Sequence, residues 1–82
     1  LKIPNEAIVE IDGLKYVVRN RAGYLNKILV NVTEQGEDYS IVQPYTTEEL
    51  KELGFSNEEI NSYRKISLYD EIILNPDLSE VE

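Results

Sequence analysis

The chain has 82 residues, which allows one domain with one modest core, and its apolar share of 41% argues against disorder. It contains no cysteine and no histidine. Those absences exclude disulfides, thiolate catalysis and zinc–sulfur sites, and remove the usual general base and the commonest transition-metal ligand. The net charge of −8 is unevenly placed: residues 1–33 carry five basic and three acidic residues, residues 34–82 three basic and thirteen acidic. Nucleic acid needs a basic footprint and anionic lipid a basic surface, so both partners are disfavoured.

No apolar run approaches the roughly 18 residues that a membrane span needs, and there is no signal-peptide pattern. The chain starts at Leu1 and contains no methionine, so the expectation is a domain cut from a longer protein or a processed chain.

The first element is a hairpin. Ala7 to Ile11 runs into Asp12-Gly13 and then Leu14 to Arg19, and an Asp-Gly link between alternating runs suits a type I′ turn with positive φ at both positions. A two-residue loop pairs Ile11 with Leu14, Val9 with Tyr16 and Ala7 with Val18, an apolar face expected to point at the core. The other face pairs Glu10 with Lys15, Glu6 with Arg19 and Ile8 with Val17, mostly opposite charges. Arg19 to Gly23 reads as the next turn, with Asn20 and Gly23 free to take positive φ. A strand from Leu25 to Thr33 follows, with Ile28, Val30 and Val32 on one face. Gln35 to Asp38 is a further turn, and Tyr39 to Gln43 a fourth strand.

Pro44 stops that strand, and two short helices follow. Thr46 and Glu49 fit a capping box, with Tyr45 and Leu50 at staple positions and Gly54 as a positive-φ terminator. The grammar repeats with Ser56, Glu59, Phe55 and Ile60. The predicted helices are Thr47 to Leu53 and Asn57 to Tyr63. Neither is long enough to stand alone, so Leu50, Leu53, Phe55, Ile60 and Tyr63 must pack on the sheet or on a partner. Ile72 to Leu74 reads as a short strand buried on both faces, ended by Pro76. Residues 77–82 read as an acidic tail or linker.

Chemistry is poorly supplied. The adjacent carboxylates Glu48-Glu49 and Glu58-Glu59 point about 100° apart on a helix and do not converge. With no activated nucleophile and base in view, the chain reads as not an enzyme, and no cofactor is expected. Glu34, Glu37 and Asp38 share a turn but lack the density of a calcium loop. The tyrosines lie mostly in the acidic half, unlike the aromatic and basic mixture of single-strand binders.

The order of these pieces resembles the membrane-proximal domain of HlyD-type membrane-fusion (periplasmic adaptor) proteins. The opening Ile3-Pro4-Asn5-Glu6-Ala7-Ile8-Val9, then Asp12-Gly13 and Tyr16-Val17-Val18, looks like that domain's start. Leu68-Tyr69-Asp70-Glu71-Ile72-Ile73-Leu74-Asn75-Pro76 resembles its close. Tyr69 stands where glycine is common, a form similar to HlyD-like proteins of Gram-positive anaerobes. The helical insertion departs from the strand-and-loop connection of most members.

The expected fold is therefore mainly β (α+β by content): a small antiparallel β-barrel or sandwich of about 5–6 strands with a two-helix insertion. Residues 1–76 form the domain, with the insertion at 46–63. Asp12, Gly13, Gly23, Gly54 and Pro76 mark its turns; Tyr45, Leu50, Phe55, Ile60 and Tyr63 are the candidate partner contacts. The resemblance implies a non-catalytic interaction module in a transport or efflux assembly. Such a module lies outside the cytoplasm in a membrane-anchored parent, touching a transporter permease and the parent's other domains without inserting in the membrane itself. The alternatives are a free-standing ligand-binding β-barrel and a cell-surface spacer domain.

Overall fold

The computed structural model describes residues 1–81, and the last residue of the predicted tail, Glu82, lies outside the described residues. The fold is mainly β: six antiparallel strands in one curled half-barrel sheet, with two short helices. The strands are β1 (Lys2–Pro4), β2 (Ile8–Ile11), β3 (Leu14–Arg21), β4 (Tyr24–Gln35), β5 (Tyr39–Gln43) and β6 (Glu71–Ile72); the helices are α1 (Thr47–Glu52) and α2 (Asn57–Asn61). The sheet runs β1-β5-β4-β3-β2, with β6 also pairing β3. Its outermost strands, β1 and β2, are joined only by the 3₁₀ turn Asn5–Ala7, so the sheet must curl to let the chain cross from one edge to the other. Asn5 holds that crossing. Its side-chain amide donates to the Gly36 and Glu37 carbonyls at 2.9 and 3.0 Å, and its carbonyl oxygen accepts from the Ser40 hydroxyl.

The first hairpin has the expected register over Ile11↔Leu14, Glu10↔Lys15, Val9↔Tyr16 and Ile8↔Val17, with a Lys15–Glu10 ion pair of 3.1 Å. Asp12 and Gly13 take φ of 52° and 83°. The expected pairs Ala7–Val18 and Glu6–Arg19 do not form. The chain turns away at Asn5–Ala7, and β6 takes the vacated edge in the register Arg19↔Ile72 and Asn20↔Glu71.

The core faces the other way from the sequence expectation. It gathers Ile3, Ala7, Val17, Ile28, Val30, Val42 and Ile66, with Ile8, Val32 and Ile72 packed against it. The Val17↔Ile28 and Lys15↔Val30 pairs put the Ile8–Val17 face inside the curl. The more apolar face, Tyr16 with Leu29 and Val18 with Lys27, lies outside. Val18, Leu29 and Leu50 are nonetheless buried. The outer face thus has its own cover, and alternation took it for the interior because the helices that cover it are remote in sequence.

The second turn lies within the expected Arg19 to Gly23 but is shorter. β3 continues through Asn20 to Arg21, and the hairpin residues are Ala22 and Gly23, with φ of 53° and 85°. Asn20 stays in the sheet because β6 pairs with it. β1 was not expected; it adds to β5 in the register Ile3↔Ser40. At the far end, β6 covers only Glu71–Ile72, although the Ile73 amide still donates to the Val18 carbonyl at 2.9 Å. Leu74 is exposed, not buried on both faces, because the strand has already ended.

Candidate interaction cleft and exposed turn

The helical insertion follows its local chemistry closely. Thr46 and Ser56 both accept from the amide three residues on, while Glu49 and Glu59 accept from the capping residues' own amides at 2.9 Å. α1 ends in a Schellman motif: the Phe55 amide donates to Leu50 and the Gly54 amide to Lys51, with Gly54 at φ 93°. These caps fix two helices too short to persist alone.

Tyr63 ties the insertion to the sheet. Its hydroxyl donates to the Leu29 carbonyl at 2.7 Å and accepts from the Tyr45 amide at 3.1 Å. Burial pushes the Tyr63 hydroxyl pKa up, against the Tyr45 amide bond, with Tyr45 and Glu49 adding to the rise. Tyr45 is raised too, by burial first and then by Glu49 and Tyr16.

Between the helices and the outer sheet face lies an open cleft of about 480 Å³. Tyr16, Leu29, Leu50, Phe55 and Tyr63 form its apolar and aromatic walls, and Lys27 and Arg64 supply its cations. Lys27 stands 5.4 Å from the centroid of the Tyr16 ring. The one carboxylate at the lining, Glu59, already serves its cap, and the bonds from Ser56 hold its pKa down. The cleft is therefore locally cationic in a chain of net charge −8. Of the five candidate contacts, Leu50, Phe55 and Tyr63 line this cleft; Tyr45 and Ile60 are half-buried and do not. Leu50 is buried, spent on packing α1 to the sheet. Sequence reasoning missed Tyr16 and Lys27, which the β3–β4 register brings to the same side, and Arg64, which the segment after α2 adds to the lining.

A second feature sits where β6 meets β3. Asp70, whose side chain is only 3% exposed, accepts on one oxygen from Arg21 at 3.3 Å and lies 3.8 Å from the buried Arg19 guanidinium. Its other oxygen accepts from the Ser67 amide at 2.9 Å, and the Asp70 amide donates back to Ser67. The turn pinned in this way holds Leu68 and Tyr69 outward, 73% and 93% exposed. Of the predicted turn markers, Pro76 follows Asn75, which itself has positive φ.

Asp70 is thus taken up by arginines, and the neighbouring Glu71 accepts from Asn20. Among the described residues, no group of three or more metal-ligating side chains comes together, Glu34, Glu37 and Asp38 included. No described helix is long and apolar enough to cross a membrane. No protein-family model, curated protein or solved structure matches the chain.

Proposed function

We propose that this chain is a non-catalytic interaction module, the membrane-proximal domain of a HlyD-type adaptor that contacts the extracytoplasmic part of a transporter. One observation supports the reading most. The two sequence segments that carry the resemblance, Ile3 to Val9 and Leu68 to Pro76, meet in space. The Asn75 amide donates to the Glu6 carbonyl at 3.0 Å, and the Asn75 side chain reaches the Glu6 carboxylate at 3.3 Å. A domain set into a longer adaptor needs its incoming and outgoing segments side by side, as these are. The Leu68–Tyr69 turn is the proposed transporter contact, because tyrosine on a rigid support is a frequent centre of binding energy.

Affinity purification of the full-length parent from its native membrane tests this. A transporter permease is expected to accompany the wild-type protein and to be lost from the Leu68→Ser, Tyr69→Ser variant. Purification without any permease contradicts the reading. The cationic aromatic cleft favours a second, ligand-binding reading, in which binding takes place between the insertion and the sheet.

A further inference from the structure

β4 is longer than either neighbour. Its first part, Tyr24 to Val30, pairs with β3, and its second, Asn31 to Gln35, pairs with β5. The Ala22-Gly23 turn makes Arg21↔Tyr24 a hydrogen-bonded pair, and bonding then alternates along the ladder. The backbone groups of Tyr24, Asn26 and Ile28 therefore face β3, while those of Leu25, Lys27 and Leu29 face the opposite edge. β5 ends at Gln43 and Pro44 turns the chain away, so β5 never reaches them. Among the described residues, the Leu29 carbonyl alone has found a partner there, the Tyr63 hydroxyl. Among the described residues, nothing meets the N–H and C=O groups of Leu25 and Lys27.

This open edge runs along the cleft, which Asn26, Lys27 and Leu29 help to line. We propose that the edge receives an extended segment of another protein by strand addition. That segment carries a carboxylate opposite Lys27 and Arg64, with apolar residues two positions to either side. Backbone bonding supplies affinity in this mode, and the alternate side chains supply specificity. The charge selects the occupant. A second copy pairing antiparallel about Lys27 would set lysine against lysine, which is unfavourable. An acidic segment meets two cations and aromatic walls instead. The inference rests on the reading of the chain as an interaction module, and does not depend on its belonging to an adaptor.

The test uses the blocked heptapeptide Thr-Val-Thr-Glu-Thr-Val-Thr and its Lys-for-Glu counterpart, titrated into the isotopically labelled 82-residue chain. The glutamate peptide is expected to shift the amides of Leu25 and Lys27 and slow their hydrogen exchange, leaving Asn26 and Ile28 unchanged in protection. Lys27→Glu, a surface change that spares the fold, is expected to weaken that peptide by about tenfold or more and to favour the lysine peptide. Absence of protection at Leu25 and Lys27 with both peptides overturns the proposal. So does binding of phenylpropionate in the cleft with no peptide binding, which would assign the site to a small anion. Either failure leaves the permease co-purification untouched, since Leu68 and Tyr69 are not part of the cleft.

Discussion

Asp70 is the carboxylate that faces the buried Arg19. Arg19 is 5% exposed, and its Nε has no partner among the described residues, so its charge is compensated chiefly by this one carboxylate. Removing one member of a buried pair leaves an uncompensated charge, which costs about 3–5 kcal/mol. Asp70→Ala is therefore expected to lose most of the stability of so small a domain in guanidinium unfolding, and Arg19→Met with Asp70→Leu to regain much of it. A loss below about 1 kcal/mol for Asp70→Ala would contradict the assigned role. Ala22 carries the opposite kind of defect. Its φ of 53° places a Cβ where a left-handed residue costs about 1–2 kcal/mol. Ala22→Asn makes the favoured Asn-Gly turn, and a gain of about 1 kcal/mol is expected, read as a higher melting temperature. Neither role was legible beforehand. Alternation put Arg19 on a charged outer face, and within the expected turn Arg19 to Gly23 the positive φ was given to Asn20 instead of Ala22, because the pairing of Asn20 with β6 is invisible locally.

The elements divide by how local their causes are. Both capping boxes, the Gly54 stop and the Asp12-Gly13 hairpin were readable, because each is decided by residues within a few positions of one another. β1 and β6 were harder: three and two residues long, they exist only because a distant strand edge offers them bonds. The insertion docks through Tyr63. Tyr63→Phe leaves the Leu29 carbonyl and Tyr45 amide without their partner, and a loss of about 1–3 kcal/mol is expected on denaturant unfolding. The tyrosines also set a pH window. Their folded pKa values lie above the unfolded value, so their contribution is fully present below about pH 10, the ordinary tyrosine value, and is lost as pH rises through the folded values. Melting temperature should fall on that alkaline limb, less steeply in Tyr63→Phe than in the wild type. An identical slope in the two proteins would remove Tyr63 from the account.

At the scale of the whole molecule, the class of fold was legible and its inside was not. Strand content, hairpins and the helical insertion follow from the sequence pattern. Which face of the first hairpin is the interior does not, because the helices bury the face that alternation assigned to the core. The cleft is a consequence of that double covering: an insertion that packs outside the curl must leave a seam, and here the seam contains the open edge of β4. The exposed Leu68–Tyr69 turn lies beside the Arg19 and Arg21 end of β3, while Asp12 lies at the other end. This turn is the transporter contact proposed above. The most direct measurement places a photo-crosslinking residue at Tyr69, and separately at Asp12, in the full-length parent in its native membrane. A crosslink from position 69 to the extracytoplasmic part of a permease, and none from position 12, is expected. Equal crosslinking from both positions, or from neither, would contradict it.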